Sequence, residues 1–141
     1  LPDGLSQDSL HMLMTCEPQI KEIGDLISRT DVLLFGIGTA MRMADQRHIA
    51  DDVRKQLVDN HAVGEALGQY CDIDGKLIYS TNNIGLSLPD VAKIPNVIAV
   101  AGGQDKSSAI IGVMRACQKG ILIIDEQAAE GMRQLLQISA L

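Results

Sequence analysis

A lysine follows two glycines in the segment 101–107, whose sequence is Ala-Gly-Gly-Gln-Asp-Lys-Ser. The apolar run 97–101 comes before it, and a stretch with apolar residues at helical spacing comes after it. A glycine turn between a strand and a helix presents main-chain N–H groups, which attract anions. A cation is unfavourable at that end of a helix because the helix dipole is already positive there. Helix stability therefore does not explain why a lysine occupies position 106.

We predict that Lys106 binds an anion together with the N–H groups of Gly102 and Gly103 and with Ser107. The anion would be a phosphate or a carboxylate, since both accept hydrogen bonds from such donors. The alternative is that Lys106 is a surface residue that pairs with a nearby carboxylate such as Asp105. The segment matches neither the dinucleotide-binding glycine motif nor the P-loop.

A second glycine turn, with Gly36 and Gly38, follows the short apolar run 32–35. A third apolar run, 121–124, is followed by two acidic residues. Parallel strands end at the same edge of a sheet, and ligands of doubly wound sheets bind at that edge. The two glycine turns and Lys106 at one edge therefore favour a pocket for a small anionic ligand over a lysine with no binding role.

Two charged residues between these turns are further candidates for the pocket. Arg47 lies in a loop-like stretch after the first turn, and a guanidinium group matches the geometry of phosphate. Glu65 lies among small and apolar residues, so we expect it to be partly buried and to need hydrogen-bond donors. Those donors are sugar hydroxyls, a main-chain amide or Arg47. We expect Arg42 and Arg54 to be solvated helix residues paired with nearby aspartates.

The sequence favours binding over catalysis. It contains no recognisable Ser/His/Asp set, no HExxH motif and no nucleophile elbow. His61, Glu65, Asp125 and Glu126 are the side chains available for acid–base chemistry, and nothing in their spacing assigns them that role. We therefore predict no catalytic residues, no metal ligands and no cofactor.

The pattern of elements predicts an α/β protein. Strands at 32–35, 97–101 and 121–124 alternate with helices, which is typical of a three-layer, doubly wound, mostly parallel sheet. A hairpin is predicted at 67–80, around the turn residues Asp74 and Gly75. The last helix is predicted to begin after Asp125 and to bury one of its faces. The residues expected on its inner face are Ala128, Met132, Leu135 and Leu136.

Composition excludes several functional classes. The 141 residues predict one domain, and a net charge of −6 with only 2% aromatic residues disfavours nucleic-acid binding by this segment. The three cysteines are far apart, which predicts neither a zinc site nor a disulfide framework and suits the reducing cytoplasm. No apolar stretch is long enough to cross a bilayer. Because the first residue is Leu1, we expect the sequence to be a piece of a longer protein.

The ordered motifs of the whole chain resemble the effector-binding domain of the SorC-type bacterial transcription regulators. The resemblance covers essentially all 141 residues, and no single motif is as specific as the ordered set. The motifs that carry it are Pro2-Asp-Gly-Leu-Ser6, Leu34-Phe-Gly-Ile-Gly38, Asp59-Asn-His-Ala-Val63 with Glu65-Ala-Leu-Gly68, Ile94-Pro95 with Ala99-Val-Ala-Gly-Gly103, Lys106-Ser-Ser-Ala-Ile110, and Ile124-Asp-Glu126 with Ala128-Ala129.

The resemblance implies a Rossmann-like domain, related to sugar-phosphate isomerases and deaminases, that senses a phosphorylated sugar without converting it. For repressors of glycolytic genes within this family, that inducer is fructose 1,6-bisphosphate. The resemblance assigns ligand contacts to Lys106, to Glu65, and to Arg47 or its neighbour Gln46. It also implies a homo-oligomer.

The family pattern includes two parts that residues 1–141 do not contain. One is an N-terminal winged helix-turn-helix, through which DNA would be bound. The other is the first half of the effector domain with its phosphate loop. The chain is thus expected to be the C-terminal part of a sugar-phosphate effector-binding domain. A sugar-phosphate isomerase or deaminase on the same fold remains the alternative.

Overall fold

A computed structural model describes residues 5–137, which form seven α-helices, seven strands and one 3₁₀ turn. The helices are α1 (Gln7–Cys16), α2 (Pro18–Ser28), α3 (Ala40–Gln46), α4 (Asp51–Asp59), α5 (Leu88–Val91), α6 (Ser107–Cys117) and α7 (Glu126–Leu135). The strands are β1 (Val32–Gly36), β2 (Gly38–Thr39), β3 (Gly64–Ala66), β4 (Gln69–Cys71), β5 (Leu77–Ser80), β6 (Asn96–Ala101) and β7 (Ile121–Ile124). The 3₁₀ turn is Gln104–Lys106.

The predicted parallel strands are present and form one sheet in the order β1-β6-β7. Val32 lies opposite Asn96 and Gly36 opposite Val100, while Ile98 lies opposite Ile121. The carboxyl ends of β1 and β6 therefore meet at one edge of the sheet. The α/β class with a mostly parallel central sheet is confirmed.

A second sheet is antiparallel and has the order β2-β3-β4-β5. Its β4–β5 pair is the hairpin predicted around Asp74 and Gly75, and Gly75 has the positive φ of +84° that such turns need. The pairing of β2 with β3 was not predicted, because the two strands have only two and three residues and each contains a glycine, which is depleted in strands. This pairing carries Glu65 to a position opposite Gly38.

Helix α6 holds the two sheets together. It starts at the 3₁₀ turn and buries the face that the sequence predicts, with Ala109, Ile110 and Val113 fully buried. These side chains belong to the main core, which includes Phe35 and Ala99 on one face of the parallel sheet. Burying each large aliphatic side chain stabilises the fold by about 1.5–3 kcal/mol. The turn that bears Lys106 thus rests on the most deeply buried helix.

The last helix departs from its predicted orientation. Ala128 is fully buried, but Leu135 is 52% exposed and Leu136 is 39% exposed, so the prediction that these leucines face inward is wrong. Helix α7 approaches α6 through its small residues. A Cβ on Gly131 would lie 2.1 Å from the Ser107 hydroxyl. Leu135 is the last residue of α7 and Leu136 is its C-cap, so both leucines lie beyond this contact. No helix between residues 5 and 137 is long and apolar enough to cross a membrane.

We expect Gly112→Ala to destabilise the protein by about 1–3 kcal/mol, the usual cost of overpacking. Alanine normally stabilises a helix interior relative to glycine by about 1 kcal/mol. Here its Cβ would lie 2.4 Å from the main-chain oxygen of Asp72, which the hairpin holds in place. Gly24→Ala is the control, since its Cβ would meet only the flexible end of Met14, at 3.0 Å. Urea unfolding should give opposite signs for the two variants. Equal stabilisation would contradict the packing of α6 on the hairpin.

Candidate ligand-binding site

Glu65 is a buried carboxylate at the centre of the candidate site. It is 3% exposed, on the short strand β3. Its Oε1 accepts a hydrogen bond of 2.6 Å from the main-chain N–H of Gly68 and one of 3.3 Å from the guanidinium of Arg47. Oε2 lies on the side of β2, 3.9 Å from the position of a Cβ on Gly38. Of the three kinds of donor considered for Glu65, two donate to its carboxylate: a main-chain amide and Arg47.

Arg47 reaches Glu65 from the end of α3. Its backbone closes that helix through a hydrogen bond to Met43, and its side chain is 26% exposed. The Arg47 guanidinium is therefore only partly exposed to solvent. Arg54 pairs with Asp45, as predicted for a solvated helix residue. The structure therefore separates Arg47, which lies against the buried carboxylate, from Arg54 on the surface.

Lys106 ends the 3₁₀ turn and is the N-cap of α6. It is partly buried, and no carboxylate between residues 5 and 137 forms an ion pair with its ammonium group. Lys106 therefore forms no ion pair with Asp105, the first carboxylate that the alternative interpretation names, although its ammonium acts electrostatically on another carboxylate, Asp125. Its turn packs beside β2, the strand that pairs with Glu65's strand.

The N–H group of Gly103 is not free. It donates to the Asp125 carboxylate at 2.9 Å and 3.1 Å, and Asp125 also accepts the Ala128 N–H at 2.8 Å. Gly103 has a φ of +95°, and a Cβ on Gly102 would lie 2.8 Å from Asp125 Oδ2, so both positions favour glycine. The expectation that both glycine N–H groups are free for a ligand is therefore wrong for Gly103. The reason is Asp125, a carboxylate 22 residues further along.

Asp125 fixes the glycine turn to the start of α7 and makes this link depend on pH. Hydrogen bonds from the N–H groups of Ala128 and Gly103, with a smaller effect of the Lys106 ammonium, lower the pKa of the Asp125 carboxyl. A lowered folded-state pKa contributes stability above the unfolded-state pKa, and that stability is lost as the pH falls through the folded value.

We expect Asp125→Asn to be less stable than wild type at neutral pH, with a difference that shrinks below about pH 4, where the unfolded carboxyl protonates. Urea unfolding from pH 7 to pH 3 measures this difference. Asp25→Asn is the control, since the Asp25 carboxylate accepts no hydrogen bond in the described part of the chain. A difference that stays constant down to pH 3 would refute the link.

Ser107 lies beneath the turn. Its hydroxyl donates to the main-chain oxygens of Gln104 and Ala128, at 2.7 Å and 3.3 Å, and its N–H also donates to Gln104. The side chain is 3% exposed. These hydrogen bonds connect the 3₁₀ turn to α7, so Ser107 has a structural role. Its direct contact with a ligand stays a prediction.

Most of the predicted residues meet at the carboxyl edge of the parallel sheet. Gly36 ends β1, exposed and opposite Val100, just before the second glycine turn. The next strand, β2, pairs on one side with β3, which carries Glu65. It also contacts the 3₁₀ turn that carries Lys106. Sequence reasoning missed Asp125 as the partner of Gly103. The Asp-Glu pair at the end of the third apolar run was the available signal.

Two cavities lie elsewhere in the described structure. One, of about 390 Å³, is enclosed by α1, α2, the loop 83–86 and α5. The other, of about 330 Å³, adjoins it near Gln69 and Asn82. Neither is lined by Glu65, Arg47 or Lys106. The candidate site therefore lies outside both of these cavities.

The thiols offer no nucleophile to this site. Burial raises the pKa of Cys71 to about 12 and that of Cys117 to about 11. Both thiols are therefore protonated at neutral pH and poorly nucleophilic. Cys16 is exposed at the end of α1. The arrangement of Lys106, Arg47 and Glu65 suits recognition of an anionic, hydroxyl-bearing ligand.

Comparison with known proteins agrees with this chemistry. The family model described as "Putative sugar-binding domain" matches residues 1–134. The central glycolytic genes regulator of Bacillus subtilis is 36% identical over 130 residues, which are 92% of this chain and 38% of that protein. The chain thus spans well under half the length of the first curated relatives.

Solved structures give the same result. A crystal structure described as a "putative SorC family transcriptional regulator" from Enterococcus faecalis has 38% identity and a TM-score of 0.82, covering 91% of this chain and 52% of that one. The full-length sorbitol operon regulator SorC from Klebsiella pneumoniae has the same fold, with a TM-score of 0.73 at 23% identity, covering 91% of this chain and 42% of that one. The chain therefore belongs to the sugar-binding domain family of SorC-type transcriptional regulators.

Proposed function

We propose that this chain is the C-terminal part of the effector-binding domain of a bacterial repressor of glycolytic genes, and that it senses a phosphorylated sugar without converting it. The observation that carries the proposal is the place of Lys106. Its ammonium group has no ion-pair partner in residues 5–137 and lies on a turn beside β2, the strand next to buried Glu65. The Lys106 ammonium and the Glu65 carboxylate, on neighbouring elements, match the phosphate and the hydroxyl groups of a sugar phosphate.

The proposed roles follow from charge and hydrogen-bonding capacity. Lys106 binds one phosphate group, with the main chain of Gly102 beside it. The Arg47 guanidinium, which pairs with Glu65, binds a second anionic group or a hydroxyl. Glu65 orients that guanidinium and hydrogen-bonds to sugar hydroxyls through its carboxylate. Each charge-assisted hydrogen bond contributes about 1.5–3 kcal/mol, so a few of them give affinities between about millimolar and micromolar.

Fructose 1,6-bisphosphate is the effector we propose. Two phosphates suit two separate cationic groups, Lys106 and Arg47, better than one phosphate does. The glycolytic regulators that are 36–37% identical to this chain support the choice of a glycolytic intermediate.

The remaining parts of the proposal concern the whole protein. The first half of the effector domain closes the open edge and supplies further phosphate contacts, while a separate N-terminal domain binds operator DNA. Effector binding shifts a homo-oligomer between arrangements that differ in operator affinity. Operator DNA and sugar phosphates occur together in the bacterial cytoplasm, which is where such a regulator acts.

An operator-binding assay tests the proposal. The full-length gene product is titrated onto the DNA upstream of the glycolytic operon, with and without fructose 1,6-bisphosphate, and the sugar is recovered and analysed. We expect altered operator binding and an unchanged sugar. Conversion of the sugar would favour an isomerase or deaminase. Operator binding that no phosphorylated sugar alters would refute the proposal.

A further inference from the structure

We propose that the Asp125 carboxylate acts as an internal anion, which opposes phosphate binding at the glycine turn and so keeps the affinity for the effector low. The inference rests on the proposed function, because it concerns the place where Lys106 would bind a phosphate. It adds a residue that sets how tightly that phosphate is held. Removing the charge of Asp125 should then strengthen effector binding, although it weakens the fold.

The carboxylate of Asp125 lies directly against the glycine turn. Its two oxygens accept the Gly103 N–H, at 3.1 Å and 2.9 Å. A Cβ on Gly102 would lie 2.8 Å from Oδ2, so the carboxylate also lies close to the other glycine. Main-chain N–H groups before a helix are donors that bind anions. Asp125 therefore occupies, from within the chain, a donor that a ligand phosphate would otherwise use.

Asp125 does more than cap α7. An N-cap side chain accepts an N–H from the second or third residue of its own helix, and the Ala128 N–H meets that need at 2.8 Å. The hydrogen bond from Gly103 is additional and comes from 22 residues earlier in the chain. Asp125 is nevertheless exposed. A ligand that approaches the turn from solvent therefore meets a negative charge already bound there.

The charges around the turn do not favour a phosphate. Hydrogen bonds from Ala128 and Gly103 lower the pKa of the Asp125 carboxyl, and the Lys106 ammonium lowers it further, so the lysine already acts on this carboxylate. Asp105 adds a second carboxylate, since a Cβ on Gly103 would lie 2.6 Å from its Oδ1. Within residues 5–137, these two carboxylates outweigh the charge of Lys106 at the turn. A phosphate that binds there must overcome their repulsion.

Asp125 opposes the ligand more strongly than Asp105 because it combines its charge with an occupied donor. The Asp105 carboxylate accepts no hydrogen bond in the described residues, whereas Asp125 accepts the N–H groups of both Gly103 and Ala128. Asp125 thus has two opposite effects. It stabilises the link between the turn and α7, and it weakens the binding of a phosphate, which is a trade-off between stability and function.

Calorimetric titration of the full-length gene product with fructose 1,6-bisphosphate tests the proposal. Asp125→Asn retains an oxygen that can accept hydrogen bonds but carries no charge. We expect it to bind about 3- to 10-fold more tightly than wild type at low salt. Asp25→Asn is the control, since it removes an equal charge at an exposed position on α2, and it should bind as wild type does. Asp125→Ser, which also caps helices, is the second variant if Asp125→Asn does not fold.

The salt dependence separates the effect of charge from a change in structure. The ratio of the two affinities should shrink between about 0.05 M and 0.5 M salt, because ions screen exposed charges. A ratio that does not change with salt, an unchanged affinity or weaker binding by Asp125→Asn would overturn the proposal.

The same titration separates this proposal from the proposed function. If wild type binds no phosphorylated sugar, the proposed function fails. The role of Asp125 is then decided by the variant alone. Binding that appears in Asp125→Asn supports the role of the carboxylate as an internal anion, and its absence there overturns that role.

Discussion

Lys106→Ala is expected to weaken binding of fructose 1,6-bisphosphate to the full-length protein by about 10- to 100-fold, the loss of one charge-assisted hydrogen bond. Stability should be unchanged or slightly higher. The lysine has no ion pair in the described residues, and a cation is unfavourable beside the N-terminus of α6. Calorimetric titration measures the affinity, and urea unfolding measures the stability.

Lys76→Ala is the matched control, since Lys76 is exposed on the hairpin and distant in sequence from the glycine turn. It should bind the sugar as wild type does. The variant Lys106→Arg keeps the positive charge but replaces the ammonium group by a planar guanidinium. Retained binding would indicate that a positive charge suffices, whereas lost binding would indicate the compact geometry of an ammonium group. Wild-type affinity in Lys106→Ala would remove the lysine from the site.

Glu65→Gln is expected to lower the free energy of unfolding by about 3 kcal/mol and to weaken sugar binding as well. The carboxylate is 3% exposed, and its Oε1 serves both Gly68 and Arg47. Removing one partner of a buried pair leaves the other charge uncompensated. Because the Arg47 side chain is 26% exposed, water reduces this cost, and we expect the lower end of the usual range.

Asp59→Asn is the control for this effect. Asp59 pairs with Lys55, but the two side chains are 55% and 75% exposed, so its loss should cost less than about 0.5 kcal/mol. A double-mutant cycle with Arg47→Gln isolates the pair, and we expect a coupling of about 1–3 kcal/mol. Additive effects of the two substitutions would show that Arg47 does not stabilise the buried carboxylate.

Sequence patterns predicted the elements whose signals are local. Apolar runs located the three parallel strands, Asp74 and Gly75 located the hairpin, and Ser6 and Asp125 located two helix starts through their caps. Each of these signals acts within a few residues of the chain. The hairpin predicted at 67–80 is present for the same reason, with Gln69–Cys71 as its first strand.

The parts that sequence could not predict depend on distant partners. Strands β2 and β3 have two and three residues, and only their mutual pairing makes them strands. The choice among donors for Glu65 required the position of Gly68 and the end of α3. The Gly103 N–H donates to the carboxylate of Asp125, which lies 22 residues further along the chain at the start of α7. The exposure of Leu135 likewise depends on distant packing, because the residue lies at the last position of α7, beyond the contact between Gly131 and Ser107.

Residues 5–137 form the parallel sheet, the layer on one of its faces and the edge that bears Glu65, Arg47 and Lys106. The chain spans 38% of the first curated relative, so the binding experiments use the full-length gene product.

Calorimetric titration of the full-length protein with fructose 1,6-bisphosphate, beside the same titration with fructose, tests the central claim most directly. The account predicts saturable binding of the bisphosphate between about millimolar and micromolar affinity and no measurable binding of fructose, because the cationic groups recognise phosphate. Equal binding of the two sugars, or no binding of any phosphorylated sugar in the intact domain, would contradict it.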